Sequence, residues 1–239
     1  WREALEEYTV IHDESGRANM LNNLGSIKYN MGNLSQAMEF FFQSLEVSQK
    51  AGDTLRIVTA LNNIGLVYMA KPNTYDLAIE YLNKGLLLAT LINDKANMGS
   101  SYVNLGEVNF EQGKDSAALY NFFKAKDVLD PNDEILPYVL NNIGKLFSRK
   151  NQSDVALQYH QEALSKSTEI GNKLFMAQSS LALAQLYRER GQHEKAREYF
   201  EEASTISAEI KAGPELQKAY AGLSESFSIN NDFRSAYKY

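Results

Sequence analysis

Apolar residues in the first part of the chain recur at helical spacing. Ala18, Leu21 and Leu24 are three residues apart, and Gly25 and Tyr29 continue the same stripe. Spacings of three and four residues place side chains on one face of a helix. The pattern therefore predicts an amphipathic helix with one buried face and one polar face.

A turn and a second helix are predicted to follow. Gly32-Asn33 interrupts the periodicity, and glycine is favoured just past a helix end because it adopts positive φ without steric cost. The next helix, over about 35–50, directs Ala37, Phe41 and Ser44 inward. The small residues among these favour close approach of neighbouring helices. The predicted unit is helix, tight turn, helix.

This unit repeats along the whole chain. Its period of about 40 residues indicates stacked units that each bury their apolar face against a neighbour. We predict a single array with repeats over 13–53, 54–94, 95–132, 133–172 and 173–213 and a partial repeat over 214–239, and residues 1–12 are predicted to end an earlier repeat. Because the chain starts at Trp1 and stops inside a repeat, we interpret it as a fragment of a longer protein. The repeated alanines are Ala37, Ala78, Ala118, Ala156, Ala196 and Ala236, at intervals of 41, 40, 38, 40 and 40 residues.

The repeated positions resemble the tetratricopeptide repeat family, in a form with longer repeats than the usual 34 residues. The resemblance rests on Leu-Gly followed three or four residues later by Tyr or Phe, then a turn Gly, then Ala and an aromatic residue. It implies an all-α, right-handed superhelix of antiparallel helix pairs, with the first helices lining a concave groove. It also implies a protein-protein interaction scaffold rather than an enzyme.

Asparagines recur at one place in the first helices and are the most informative polar residues. Asparagine is a mediocre helix former, so its repetition there needs a reason. One interpretation is that the amides bind the backbone of an extended peptide in the groove. The alternative is that they bond to adjacent repeats and satisfy buried polar groups of the stack. The set comprises Asn22, Asn23, Asn62, Asn63, Asn104, Asn141 and Asn142.

Further groove positions are predicted around these asparagines. Lys145, Arg149 and Arg188 form a local basic group that could receive a carboxylate or phosphate. The favoured alternative is that they are solvated surface charges with Glu189 nearby as a partner. The remaining predicted groove residues include Asn19, Ser26, Tyr29, Asn30, Thr59, Leu66 and Phe110.

Composition narrows the function classes. With 24 basic and 30 acidic residues the formal net charge is −6, which argues against nucleic-acid binding. No apolar run approaches the ~20 residues that span a bilayer, and the chain has no cysteine. The three histidines share no metal-ligand spacing, and no catalytic grouping or cofactor motif stands out. We expect a non-catalytic chain without cofactor or metal, in the cytoplasm.

Two functions from different classes remain. The first is an interaction scaffold that binds a peptide segment of a protein partner in the groove. The second is a sensory or input region of a larger bacterial signalling enzyme, such as a histidine kinase or nucleotide cyclase, and it rests on family analogy. Self-association through uncapped end repeats is a third hypothesis.

Overall fold

A computed structural model describes residues 3, 7, 8, 10–229 and 236. The described residues form eleven α-helices and no strand, which confirms the predicted all-α fold of helix pairs. Two predicted elements fall largely outside the described residues: the end of an earlier repeat over 1–12 and the second helix expected near the end of the chain. The hypothesis of self-association through these end repeats therefore lies outside the described residues as well. The helices are α1 (Glu14–Asn30), α2 (Leu34–Ala51), α3 (Thr54–Met69), α4 (Tyr75–Leu91), α5 (Lys95–Glu111), α6 (Asp115–Val128), α7 (Leu136–Arg149), α8 (Ser153–Glu169), α9 (Lys173–Glu189), α10 (His193–Glu209) and α11 (Gly213–Ile229).

Short turns with left-handed residues end many of the helices. Gly32, Gly113 and Gly191 have φ between 69° and 75°, where a Cβ would be strained. Asn151 occupies the equivalent place between α7 and α8 with φ of 59°, since asparagine tolerates this region better than most residues. These turns are where the sequence predicts them.

Side-chain caps fix the beginnings of several first helices. The carboxylate of Asp13 accepts from the Gly16 amide, and the carboxylates of Asp53 and Asp94 cap α3 and α5 in the same way. Such caps satisfy amide groups that the helix itself leaves unpaired. They anchor the starting points of α1, α3 and α5.

The chain divides into two compact units, Trp1–Leu129 and Asp130–Tyr239. Unit 1 contains α1–α6 and unit 2 contains α7–α11. In unit 1, one core cluster joins Phe41 of α2 to Ile64 of α3, and another joins Leu82 of α4 to Leu105 of α5. Each unit is thus a stack in which a helix pair buries its apolar stripe against the next pair.

The first helices α1, α3, α5 and α7 each pack closely on the helix that follows through a glycine, whereas α9 has Ala184 at this position. An ideal Cβ at Gly25 would lie 2.5 Å from the Phe41 ring, and one at Gly106 would lie 2.7 Å from the Phe122 ring. Gly144 faces His160 in the same way, at 2.6 Å. The repeated Leu-Gly or Ile-Gly pair therefore brings two helices into contact around one large side chain of the second helix.

Candidate functional site

The first helices of unit 1 share one surface, which we call the first-helix face: the exposed side of α1, α3 and α5. Burial raises the pKa of Tyr29 on α1, and the charge of Glu107 on α5 raises it further. In the order of the chain, α3 stands between these two first helices.

Two of the predicted groove asparagines are buried packing residues. Asn62 and Asn141 are each 5% exposed. The Ser101 hydroxyl donates to Asn62 Oδ1 at 2.8 Å, and Asn141 Nδ2 donates to Ser179 Oγ at 2.8 Å. Both amides thus link their helix to the first helix of the following repeat, as the second interpretation of the asparagines describes.

Substitution of Ser179 by alanine tests the structural role of Asn141 in unit 2. Ser179→Ala would leave Asn141 Nδ2 buried without its acceptor, so we expect a loss of about 1 kcal/mol in the free energy of unfolding. Urea denaturation measures this loss. Ser100→Ala is the control, because Ser100 is only half-buried and bonds to Ala96 of its own helix. Equal effects of the two substitutions would contradict the role given to Asn141.

The remaining asparagines of the set differ in burial and in bonding. Asn142 is 6% exposed and donates to the Tyr138 carbonyl of its own helix. Asn63 and Asn22 are half-buried, and Asn63 Nδ2 donates to Asn22 Oδ1 at 2.8 Å. One carbonyl lone pair of Asn22 and one amide proton of Asn63 are used in this bond, so both side chains keep further donors and acceptors.

Asn23, Asn104 and Asn19 retain their full hydrogen-bonding capacity. Asn23 and Asn104 are half-buried and Asn19 is exposed. Their side chains make no hydrogen bond within the described part of the chain. In unit 1, therefore, Asn19, Asn22, Asn23, Asn63 and Asn104 all offer polar groups on the first-helix face, whereas Asn62 does not.

Two cavities lie between α1 and α3 on this face. We call the space between these helices, with α2 beneath it, the furrow. The apolar cavity has a volume of about 190 Å³ and is lined by Ser26, Tyr29, Asn30, Phe41, Asn63 and Leu66. The polar cavity has a volume of about 180 Å³ and is lined by Asn19, Asn22, Ser44, Leu55, Arg56 and Thr59.

The furrow joins residues that the sequence predicts with others that it does not. Asn19, Asn22, Tyr29 and Asn63 of the predicted groove come together here. Arg56 was missed, and it lies three residues before Thr59, a helical spacing that could have indicated it. Leu55 was missed as well, and the floor residues Phe41 and Ser44 were predicted only as core.

Tyr29 differs from the other aromatic residues of the repeat pattern. Tyr68 stacks on Tyr81 of the following helix with ring centroids 5.5 Å apart, and Tyr187 stacks on Tyr199 at the same distance. Tyr68 lies three residues after Gly65, whereas Tyr29 lies four residues after Gly25. One extra residue rotates a helical side chain by about 100°, which brings Tyr29 into the lining of the apolar cavity. Phe110 has the same four-residue spacing and is half-buried on α5.

The basic residues of unit 2 lie on two first helices. Lys145 and Arg149 are one turn apart on α7, and Lys145 Nζ lies 3.5 Å from Asn142 Oδ1. Arg188 on α9 pairs with Glu225 of α11 rather than with Glu189. Because a carboxylate neutralises Arg188, its positive charge is not open to an anionic ligand in the way that a lone guanidinium would be.

Among the described residues, no three histidine, cysteine or acidic side chains meet in a group that could hold a metal ion. None of the described helices combines the length and hydrophobicity needed to cross a bilayer. The furrow in unit 1 is the candidate site because both of its cavities lie on the first-helix face, whereas a larger cavity of about 370 Å³, lined mostly by charged residues, lies between α1 and α2.

Curated and solved relatives share this architecture. Response regulator aspartate phosphatase H of Bacillus subtilis is 26% identical over 217 residues, which cover 89% of this chain and 57% of that protein. The apo form of RapI superposes with a TM-score of 0.75 at 14% identity, covering 99% of this chain and 85% of that one. A signal transduction ATPase with a tetratricopeptide repeat sensor from Pyrococcus horikoshii gives 0.77 at 21% identity, covering 95% and 34%.

Family models agree with these structural similarities. Residues 17–51 and 135–209 each match a model of the tetratricopeptide repeat. The matched segments include α2, most of α1 and the helices α7–α10. Together with the glycine contacts and the repeated helix pairs, these matches support a repeat protein of the tetratricopeptide repeat type, a fold whose stacked helices form extended binding surfaces.

Proposed function

We propose that the first-helix face of unit 1 binds a peptide segment of a protein partner, without chemistry in this chain. The observation that carries this proposal is the furrow, where two cavities of about 190 and 180 Å³ lie on the first-helix face. Eight of the residues that line it are predicted as groove residues by the sequence: Asn19, Asn22, Ser26, Tyr29, Asn30, Thr59, Asn63 and Leu66. Small concave sites with convergent polar groups are the usual form of a binding site.

The asparagines give the face a means of binding main chain. An extended peptide presents N–H and C=O groups that need partners once water is removed. An asparagine side chain offers two donors and an acceptor on a short stem. Asn23 and Asn104 use none of these groups within the described residues, and Asn22 and Asn63 use only part of theirs. The face therefore suits a ligand whose backbone is exposed.

The type of partner is suggested by the curated relative. That relative is named a response regulator aspartate phosphatase, so a response regulator is one class of protein partner to test. The chain spans just over half of that relative's length. We propose binding, and not the phosphatase activity, for the residues described above.

Substitution of two asparagines tests the proposed binding face. The probe is a phage-displayed library of random linear dodecapeptides selected on the chain, and affinity is then measured by fluorescence anisotropy with the selected peptides. We expect Asn63→Ala with Asn104→Ala to weaken binding at least tenfold, because each lost charge-neutral hydrogen bond costs about 1 kcal/mol. The melting temperature should change by only a few degrees, since Asn104 makes no bond in the described structure.

A matched control lies on the outer side of the same unit. Asn83 is an exposed asparagine of α4, and Asn83→Ala should leave peptide affinity unchanged. Failure to select any peptide would contradict the proposed function. A large loss of stability in the double variant with affinity intact would show instead that the two asparagines hold repeats together.

A second candidate function is that of a sensory or input region of a larger signalling enzyme. It is favoured by the likeness to the Pyrococcus horikoshii protein, in which a tetratricopeptide repeat sensor is joined to an ATPase. This function predicts that a selected peptide changes the catalytic rate of a longer protein containing the chain. An unchanged rate at saturating peptide would favour the simple scaffold.

A further inference from the structure

We infer that the bound segment lies lengthwise in the furrow, extended, with an apolar side chain in the apolar cavity and a neutral hydrogen-bonding side chain in the polar cavity, three residues apart. This inference rests on the proposed function and gives its ligand a chemical class and an orientation. Both cavities lie between the same two helices, α1 and α3. The stretch of the segment that fills both cavities must therefore run parallel to these helices.

The apolar cavity fits one large side chain. Its walls include Tyr29 of α1 and Leu66 of α3, and its floor is Phe41, which is 2% exposed. A volume of about 190 Å³ is comparable to one leucine, methionine or phenylalanine residue and too small for two. Burial of such a side chain contributes a large share of a peptide's affinity because apolar surface leaves water.

The polar cavity favours a side chain without net charge. Arg56 lies in its lining, but Asp53 pairs with it at 3.3 Å, and Arg56 Nε donates to the Ser15 carbonyl. The positive charge is thus already balanced inside the protein, which removes the main attraction for a carboxylate. Some guanidinium N–H groups remain as donors, because guanidinium carries five.

Hydroxyl groups in the polar cavity supply acceptors. Ser44 donates its proton to the Ala18 carbonyl at 2.8 Å, and Thr59 donates to the Leu55 carbonyl at 3.1 Å. Each hydroxyl uses its proton in these bonds, so the lone pairs of its oxygen can still accept a hydrogen bond from a ligand. With donors and acceptors both present, the cavity suits the amide of Asn or Gln or the hydroxyl of Ser or Thr.

The distance between the cavities sets the spacing in the ligand. Asn22 and Tyr29 are seven residues apart on α1, and so are Thr59 and Leu66 on α3. At 1.5 Å per helical residue the cavity centres are about 10 Å apart. In a polyproline-type extended chain, which rises about 3.1 Å per residue with three residues per turn, side chains at i and i+3 share a face and lie about 9 Å apart.

The backbone of an extended segment would meet the Asn22–Asn63 pair. Asn22 lines the polar cavity and Asn63 lines the apolar one, and their hydrogen bond joins the two helices between the cavities. The amide groups left unused by this bond lie where the main chain passes from one cavity to the other. A helical ligand with apolar and polar residues seven apart would also span the distance, but its main chain offers these asparagines nothing.

Paired substitutions in protein and peptide test the assignment. Peptides are selected from the random dodecapeptide library on the unmodified chain, and their alanine variants are measured by fluorescence anisotropy. We expect a consensus of one large apolar residue and one of Ser, Thr, Asn or Gln three residues away. Leu66→Gln should weaken the consensus peptide at least tenfold but hardly affect its variant with alanine at the apolar position. Thr59→Val should couple to the polar position in the same way.

Matched controls use the outer surface of α4. Leu77→Gln changes a similar side chain there, 40% exposed, and Thr90→Val removes a hydroxyl that donates to its own helix as Thr59 does. Neither control should alter affinity or the coupling to any peptide position. A merely structural effect of Leu66→Gln would weaken all peptides equally, and this outcome would overturn the assignment of the apolar cavity.

The outcomes separate this inference from the proposed function. If the selected peptides lose affinity in Asn63→Ala with Asn104→Ala but show no coupling to Leu66 or Thr59, the face binds peptides and the furrow assignment is wrong. A consensus spacing of seven residues would overturn the extended conformation. A preference for Asp or Glu at the polar position would overturn the neutral character of that cavity. If no peptide is selected, both the inference and the proposed function fail.

Discussion

Gly106→Val is expected to destabilise unit 1 by about 3 kcal/mol, at the upper end of the range for overpacked cores. A Cβ at Gly106 would lie 2.7 to 2.9 Å from three atoms of the Phe122 ring. Phe122 is fully buried, so the ring cannot turn into solvent to make room. The two helices must move apart, or the ring must leave its preferred rotamer. Urea denaturation at pH 7 measures the loss.

An exposed helical site shows what valine does in a helix without overpacking, because valine and asparagine have similar helix propensities. Asn83→Val on the outer face of α4 changes an exposed position, where we expect a loss within about 0.5 kcal/mol. If Gly106→Val were as mild as Asn83→Val, the close contact between α5 and α6 would not hold the two helices in place.

His160→Leu is expected to reduce the loss of stability on acidification. Burial and, as the smaller cause, the charge of nearby Lys145 together lower the pKa of His160 from 6.5 to about 4. The folded protein therefore resists a proton that the unfolded chain accepts below pH 6.5. Stability is retained above that pH and lost as the pH falls towards 4, by about 2 kcal/mol between pH 7 and 4.5. Leucine has no such proton to bind.

The chain itself contains a precedent for this substitution. Leu82 occupies in α4 the place that His160 occupies in α8, and each is packed against the glycine of its first helix, Gly65 or Gly144. At pH 7 the variant loses the hydrogen bond between His160 Nδ1 and Asn141 Oδ1, 2.9 Å long, so we expect it to be less stable there.

The measurement compares unfolding free energies at pH 7 and pH 4.5. At pH 7 the wild type should have the larger free energy of unfolding. At pH 4.5 this advantage over His160→Leu should be smaller by about 2 kcal/mol, or reversed. His12→Asn is the control, because His12 is exposed in a turn with φ of 55°, which asparagine tolerates. A constant difference between wild type and His160→Leu at both pH values would contradict the role of burial.

The fold could be predicted because its determinants are local and repeated. The positions of Gly25, Ala37 and Phe41 recur along the chain with nearly constant spacing. In the structure, Gly25 lies against the Phe41 ring, and Ala37 and Phe41 belong to one buried core cluster. Turn glycines such as Gly32 need positive φ wherever they stand. A repeating sequence gives several independent readings of one packing pattern, so errors at any single position matter little.

The roles of individual asparagines could not be predicted in the same way. Asn62 finds Ser101 on the next first helix, whereas Asn22 has Ala60 at the corresponding place and bonds to Asn63 instead. The difference depends on a side chain about 40 residues away in sequence. Helical periodicity assigns a residue to a face but does not reveal which neighbour stands opposite it.

Charge partners and cavity linings present the same difficulty. Arg188 pairs with Glu225, more than thirty residues later, although Glu189 is adjacent in sequence. Neighbouring residues of a helix point in different directions, so sequence adjacency is a poor guide to ion pairing. The place of Arg56 in the lining of the polar cavity could not be predicted for a related reason, because it depends on how α3 lies against α1.

The floor of the furrow comes from α2, and this has a consequence for local opening of the fold. Phe41 and Ser44 must stay in place for both cavities to exist, so a bound segment stabilises only those conformations in which α2 is docked. Hydrogen exchange of the α2 amides, which report opening of that helix, should slow on ligand binding even though α2 has its other side towards solvent. Hydrogen exchange in the outer helix α2 would thereby report ligand binding on the first-helix face.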